Sequence, residues 1–112
     1  MDLAHRTVDD ADLVEVSGRI DATTAKELEA TLTPHCGAPG GAMVLDFSRV
    51  DYISSAGLRA LLIILKTLAA NDRRLAVAGA NADVLDVLRL TGFDKLVDCH
   101  PDVESALSAA HS

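Results

Sequence analysis

Two adjacent serines, Ser54 and Ser55, stand at the start of a long apolar segment with helical periodicity. An apolar run of β character and a short polar loop precede them. The first turn of a helix leaves backbone N–H groups without partners, and the helix dipole adds partial positive charge there. Such an end favours a negative group, including a phosphate. A serine hydroxyl at this position can therefore cap the helix or serve as the point where a phosphate is attached.

The elements that position these serines follow from the hydrophobic pattern, which predicts the order β-β-α-β-α-β-α-β-α. The predicted strands are two short ones around Asp9–Asp10 within residues 7–20, interrupted at Gly18, and then Met43–Phe47, Leu75–Ala78 and Leu96–Cys99. Strands that alternate with helices indicate an α/β fold with a mainly parallel central sheet, to which the opening pair adds an antiparallel edge strand.

Polar capping residues mark where the first three predicted helices begin, and a proline marks the start of the fourth. The expected starts are a cap at Asp21, the serine pair, a cap at Asn81, and Pro101 as a first helical residue. Residues 34–41, with Pro34 and several glycines, read as a loop, and Gly92 as the stop of the third helix. On the helix after the serines, one face is expected to be buried: Leu58, Leu61, Leu62, Leu65 and Leu68. The opposite side carries Arg59, Ile63, Lys66 and Ala70.

Composition narrows the function classes. The chain has 112 residues, which predicts one domain over residues 1–112, and its net charge is −7. An acidic chain with no Trp, one Tyr and two Phe lacks the basic patches and stacking platforms of nucleic-acid binders, and it suits an anionic membrane surface poorly. The absence of a signal-peptide core at residues 1–6 and of a long apolar run predicts a cytoplasmic protein with two free thiols.

Other chemistry has little support in the sequence. His35–Cys36 and Cys99–His100 match no common zinc spacing, and in the predicted topology they fall at opposite ends of the sheet. The 37–41 loop lacks the Gly-Lys-Ser/Thr ending of a phosphate-binding loop. The histidines, His5, His35, His100 and His111, are scattered, and none is placed by the sequence near the serines. We therefore expect no enzyme activity, no cofactor and no metal.

Two separate segments of the chain carry distinctive patterns. The first runs from Val44 to Leu58 and contains Ile53-Ser54-Ser55-Ala56-Gly57-Leu58. The second is Gly18-Arg19-Ile20-Asp21, followed by Thr24-Ala25 and Leu28. Together they resemble the signatures of STAS domains, closest to single-domain bacterial anti-sigma factor antagonists. The resemblance in element order covers essentially the whole chain and implies a STAS fold. Two motifs at the right separation are a more specific signal than either alone.

The resemblance implies a function in partner switching. The unmodified antagonist would bind an anti-sigma factor that is also a serine kinase using ATP and Mg²⁺, and phosphorylation would dissociate the complex until a serine phosphatase resets it. The family's phosphoacceptor position, two residues before the Gly-Leu pair, is Ser55 here, and Asp21 matches the acidic residue near that site. Ser54 stands where many members carry Asp, and Ala56 where many carry Ser or Thr, so Ser54 is the second choice of acceptor.

A phosphate on Ser55 would add about −1.5 to −2 units of charge at neutral pH. It would sit at the centre of a contact surface and lose hydration there unless a basic group met it. The expected contact residues are the acidic residue, the serine segment and the outer side of the following helix: Asp21, Ser54, Ser55, Ala56, Gly57, Arg59, Ile63 and Lys66.

Several alternatives stay open at this point. The serines can be plain helix caps, Ile63 can be a partly buried core residue, and Arg59 and Lys66 can be solvated charges. The same fold could instead form a non-catalytic STAS subunit of a lipid-type ABC transporter or a scaffold subunit of a stress-signalling assembly. The antagonist would be a monomer or a weak dimer.

Overall fold

A computed structural model of the chain describes residues 1–38 and 40–110. Pro39 of the predicted loop and His111 lie outside the described residues. The elements follow the predicted order, with one added 3₁₀ turn: β1 Asp2–Val8, β2 Ala11–Ile20, α1 Ala22–Cys36, β3 Met43–Ile53, α2 Ser55–Ala69, β4 Leu75–Ala78, α3 Ala82–Leu90, a 3₁₀ turn Phe93–Lys95, β5 Asp98–His100 and α4 Val103–Ala110.

The five strands form one sheet whose spatial order is the chain order, β1-β2-β3-β4-β5. β1 pairs antiparallel with β2, and every other neighbouring pair is parallel. This confirms the predicted α/β class and the antiparallel N-terminal edge. Because β2, β3 and β4 are parallel, their carboxyl ends meet at one edge, and the helices that follow all start there.

The two faces of the sheet are buried to different extents. One face packs against α1, α2 and α3 in a large apolar cluster that includes Leu28, Phe47, Ile64 and Leu88. The other face contributes a small cluster around Leu13, Val44, Ala76, Ala78 and Ala106, where α4 covers part of the sheet. Leu, Val, Ile and Ala dominate this interior, as expected for a chain with few aromatic residues.

The first three strands are longer than predicted. β1 starts at Asp2, and β2 continues through Gly18, whose φ of +96° is a left-handed value that glycine adopts without strain. β3 does not end at Phe47 but runs to Ile53, so the predicted polar loop before the serines is absent. Register shifts between β2 and β3 interrupt the alternation of buried and exposed side chains along β3. Phe47, Val50 and Ile53 are buried at intervals of three residues. The end of the apolar run at Phe47 therefore did not mark the end of the strand.

The remaining corrections concern turns. The 3₁₀ turn Phe93–Lys95 occupies the region before β5, which consequently spans Asp98–His100 instead of Leu96–Cys99. Pro101 precedes α4 and is not its first residue, because the Asp102 carboxylate accepts from the Ser105 N–H at 2.8 Å and so caps that helix. α1 continues through Pro34, which lies in its last turn, to Cys36, so the predicted loop begins only at Gly37.

The buried face of α2 is rotated slightly from the predicted one. Leu61 and Leu68 are fully buried as predicted, but Leu58, Leu62 and Leu65 are half-buried. The deepest positions also include Gly57, Ala60 and Ile64. The outward side is confirmed, because the residues predicted there are exposed: Arg59, Ile63, Lys66 and Ala70.

At the amino edge of the sheet, the buried guanidinium of Arg73 joins three segments of the chain. Its Nε donates to the Gly41 carbonyl at 2.7 Å, and its Nη1 donates to the carbonyls of His35 at 2.7 Å and Ala38 at 3.1 Å. Its Nη2 forms an ion pair with Asp12. Arg73 is only 5% exposed, so this network ties α1 and the following loop to β2.

Candidate functional site

The candidate site lies at the carboxyl edge of the parallel strands, where α1 and α2 begin side by side. Ile20 and Ile53 are partners in the β2–β3 register and are the last residues of their strands. The backbone N–H of Ser54 donates to the Ile20 carbonyl at 2.8 Å. This bond places the residue that follows Ile20, Asp21, next to the start of α2. The structure thus brings together the two segments that the sequence singled out.

The two serines have different environments. Ser54 is the half-buried N-cap of α2, and its Oγ accepts a hydrogen bond from the Gly57 N–H at 3.1 Å. Ser55 is the first helical residue and is exposed to solvent. Since Ser54 already satisfies one of the free N–H groups, the cap and the exposed hydroxyl belong to separate residues.

Gly57 is buried, and its missing side chain allows α2 to start directly above β2 and β3. A Cβ atom built there would lie 2.7 Å from Ile53 Cγ1 and 2.8 Å from Ile20 Cγ2. Both distances are too short for real carbon atoms, so any side chain would push the first turn outward. We had placed Gly57 among the contact residues, and its burial instead gives it a packing role beneath that surface.

Asp21 is the N-cap of α1 and forms a capping box with Thr24. Its Oδ1 accepts from the N–H groups of Thr23 and Thr24, each at 3.0 Å, and its own N–H donates to Thr24 Oγ1 at 2.8 Å. The bonds from Thr24, then that from Thr23 and the nearby charge of Arg19, hold the pKa of the Asp21 carboxyl below its ordinary 3.8. Asp21 is therefore a fixed anion beside α2 at neutral pH.

Two features of this edge were missed in the sequence analysis. The guanidinium of Arg19 lies over the ring of Tyr52, 4.4 Å from the ring centroid, and Tyr52 is 41% exposed. These residues are partners in the β2–β3 register, a pairing that only the correct extent of β3 would have predicted. Asn81, the cap of α3, also donates from Nδ2 to the Val50 carbonyl at 3.1 Å and so ties the start of α3 to β3.

The exposed row of α2 continues the site away from the sheet. Ser55, Arg59, Ile63 and Lys66 follow one another at intervals of four, four and three residues, which places them on one side of the helix. Ile63 is 36% exposed, so a branched apolar side chain faces solvent between two cations. Ala56 is half-buried beside Ser55.

The histidines and cysteines among residues 1–38 and 40–110 form no second site near the serines. His35 stacks on His5 with ring centroids 4.2 Å apart at the amino edge, whereas the His100 carbonyl accepts from the Gly79 N–H at the carboxyl edge. Among residues 1–38 and 40–110, no group of three or more His, Cys, Asp or Glu side chains has the geometry of a metal site. Both cysteines are free thiols, as predicted.

A comparison with protein-family models matches residues 3–106 to the STAS domain. The chain belongs to the STAS domain family. The match spans both signature segments and every strand and helix from β1 to the first half of α4, so the expected fold is confirmed.

Relatives and solved structures of STAS proteins cover nearly the same length. BtrV of Bordetella bronchiseptica, assigned provisionally as an anti-sigma factor antagonist, is 30% identical over 97% of this chain and 94% of its own. The anti-sigma-B factor antagonist of Staphylococcus aureus is 30% identical over 81% of this chain and 84% of its own. The crystal structure of an anti-sigma factor antagonist from Mycobacterium paratuberculosis superposes with a TM-score of 0.90 at 28% identity, covering 99% and 94%.

In this STAS domain, the acidic residues near Ser55 lie outside α2. Asp21 and the exposed Asp51 lie at the strand ends, while α2 contains no acidic residue in Ser55–Ala69. No helix in the described part of the chain has the length and apolar character needed to cross a bilayer. The arrangement offers an exposed hydroxyl at a helix start, flanked by anions on one side and by a mixed basic and apolar row on the other.

Proposed function

We propose that this STAS domain is an anti-sigma factor antagonist that acts in the cytoplasm by partner switching. It would bind a serine-kinase anti-sigma factor in its unmodified form and thereby free a sigma factor for transcription. The names of its 30%-identical relatives support this assignment. The chain would be a regulator and not an enzyme, a monomer or weak dimer, without cofactor or metal, binding neither nucleic acid nor membrane.

The proposed phosphoacceptor is Ser55. The observation that supports it is that Ser54 caps α2, whereas the hydroxyl of Ser55 is not used as a cap. Ser54 Oγ is committed to the Gly57 N–H, whereas Ser55 is exposed at the first position of α2. A kinase needs an accessible hydroxyl. In the transfer, Ser55 Oγ would form a bond to the γ-phosphorus of ATP, the bond to the β-phosphate oxygen would break, and ADP would leave while the serine proton is lost.

The proposed switch is a local change of charge. The new phosphate would add charge at the start of α2, which a backbone hydrogen bond joins to the end of β2 just before Asp21. It would be desolvated when a partner closes over α2. An unpaired charge buried in an interface costs about 3–5 kcal/mol, which weakens binding roughly 100- to 5,000-fold. The helix start can hold the phosphate without refolding, because free N–H groups and the dipole favour it. A serine phosphatase would restore the binding form.

The test uses the cognate serine-kinase anti-sigma factor, with ATP and Mg²⁺. Phosphate incorporation is measured for the wild type and for Ser55→Ala and Ser54→Ala. We expect Ser55→Ala to abolish incorporation and Ser54→Ala to retain it. Undiminished incorporation in Ser55→Ala would overturn the assignment and favour Ser54.

A second measurement tests the function apart from the acceptor. The dissociation constant for the same anti-sigma factor should rise at least about 100-fold in Ser55→Glu, which places a permanent carboxylate at the helix start. Equal binding of wild type and Ser55→Glu would contradict partner switching. Stable association with a transporter ATPase and permease instead would support the transporter hypothesis, and a megadalton particle in size-exclusion chromatography would support the scaffold hypothesis.

A further inference from the structure

The exposed row of α2 carries an arginine, Arg59, close to Ser55 along the helix. Arg59 is four residues after Ser55 and lies on the same side of the helix. Side chains of an α-helix tilt toward its N-terminus, so a long side chain at one position covers the turn that precedes it. The Arg59 guanidinium can therefore reach back over Ser55 without any change in the backbone.

Arg59 has no competing anion within its own helix. The whole of Ser55–Ala69 lacks Asp and Glu, and its charged residues are Arg59 and Lys66. Arg59 is exposed, and it forms no ion pair with any residue in the described ranges. Asp21 is engaged by the α1 backbone, and the cation whose charge acts on it is Arg19. In a chain of net charge −7, the guanidinium of Arg59 thus has no ion-pair partner in the described ranges and lies one helical turn after Ser55.

The order of the two residues suits an ion pair. An anion placed four residues before a cation is the favourable orientation, because each also faces the helix end that its charge prefers. A phosphoserine at position 55 would offer three acceptor oxygens, and a guanidinium binds phosphate through two parallel N–H···O bonds. Lys66 lies about 16 Å from Ser55 along the helix axis, so its ammonium group cannot bind a phosphate there.

We propose that Arg59 is the second component of the switch. In the unmodified protein, its guanidinium pairs with a carboxylate on the partner, next to the exposed Ile63. In the phosphorylated protein, the phosphate on Ser55 captures Arg59 within α2 and withdraws it from the partner. Phosphorylation would then remove an attractive contact and still leave net negative charge at the interface, because one guanidinium offsets only part of the about −1.5 to −2 units that the phosphate adds. This inference rests on the proposed function for the identity of the partner.

The first test does not need the kinase or the partner. Phosphoserine is installed at position 55 by genetic encoding, and the second pKa of the phosphate is followed by ³¹P NMR in the full chain. We expect this pKa in Arg59→Gln to be higher than in the wild-type background by about 0.3 unit or more. Lys66→Gln, which removes one charge from the same row, should change it much less. Equal shifts in both variants, or no shift in either, would overturn the capture of Arg59.

The second test examines the partner contact with the anti-sigma factor. Unmodified Arg59→Gln should bind it at least about fivefold more weakly than wild type, and the further loss caused by phosphoserine at position 55 should be smaller than in wild type. Lys95→Gln, an exposed charge on the 3₁₀ turn, is the control and should bind as wild type does. Unchanged binding of Arg59→Gln would refute the role of Arg59, whereas Ser55-dependent switching would still stand on its own measurement.

Discussion

Ser54 and Ile20 are joined by a backbone hydrogen bond of 2.8 Å that links the start of α2 to the end of β2. The bond continues the β2–β3 ladder by one residue beyond the Ile20–Ile53 pair. It therefore fixes the start of α2 relative to the end of β2, which Asp21 directly follows. The position of Ser55 depends on this junction more than on the conformation of a loop, since β3 leads directly into the cap.

The close packing at this junction predicts the effect of Gly57→Ala. The added methyl group would meet Ile53 Cγ1 and Ile20 Cγ2 at less than 3 Å. We expect the strain, about 1–3 kcal/mol, to exceed the gain in helix propensity of up to about 1 kcal/mol, so the free energy of unfolding should fall. Urea denaturation measures it. Gly37→Ala is the control, because its Cβ would meet nothing within 4 Å, and it should be neutral or slightly stabilising. Stabilisation of similar size in both variants would contradict the packing argument.

The two serines should respond differently to replacement by alanine. Ser54→Ala removes the Oγ that accepts from the Gly57 N–H and should lower the free energy of unfolding by about 1 kcal/mol. Ser55→Ala changes an exposed residue and should stay within about 0.5 kcal/mol of wild type. The midpoints of urea denaturation at equal slope compare the two. A larger loss for Ser55→Ala would show that the cap had been assigned to the wrong serine.

Neighbouring arginines provide a matched pair for the amino-edge network. Arg73→Met leaves the half-buried Asp12 without its guanidinium and three carbonyls without their donor, so we expect a loss of about 3–5 kcal/mol. Arg74→Met breaks an exposed pair with Asp98 and should cost no more than about 1 kcal/mol. Thermal and urea unfolding measure both. If both variants lost the same free energy of unfolding, the buried interactions of Arg73 would contribute little to stability.

Stability should fall in acid because of carboxylates that the fold keeps ionised. Burial alone would raise the pKa of Asp12, but the hydrogen bonds and charges of Arg73 and His5 outweigh it and lower that pKa below 3.8. The folded state then binds fewer protons than the unfolded state, so this contribution is present above about pH 4 and is lost as pH falls through the lowered pKa. In urea denaturation, Asp12→Asn should show a shallower decline between pH 5 and pH 3 than wild type. A slope equal to that of wild type would refute the role of Asp12.

Much of the architecture could be predicted because its signals are local. β4 is found at its predicted bounds, and Asp21 and Asn81 cap the helices assigned to them. A cap needs only its own side chain and the next three residues, and a buried strand needs only a short apolar run. The exposed side of α2 follows equally from a 3.6-residue period.

Signals that depend on a distant partner were missed. The polar end of β3 is a strand only because β2 lies beside it with register shifts, which alternation along one segment cannot reveal. Arg73 looks like an ordinary surface residue in a polar turn. It is buried because carbonyls of residues 35, 38 and 41 and the carboxylate of Asp12 converge on it.

By itself, the sequence determined the order of the elements, the caps of the first and third helices and the two signature segments, since each follows from neighbours along the chain. The resemblance already favoured Ser54 as the cap, and the structure confirms it. Only the tertiary structure decided how far each serine is exposed and why position 57 must be glycine. Those answers depend on how closely α2 approaches Ile20 and Ile53, a distance set by the pairing of β2 with β3. The proposed phosphoacceptor is thus presented by a contact between segments that are far apart in the chain.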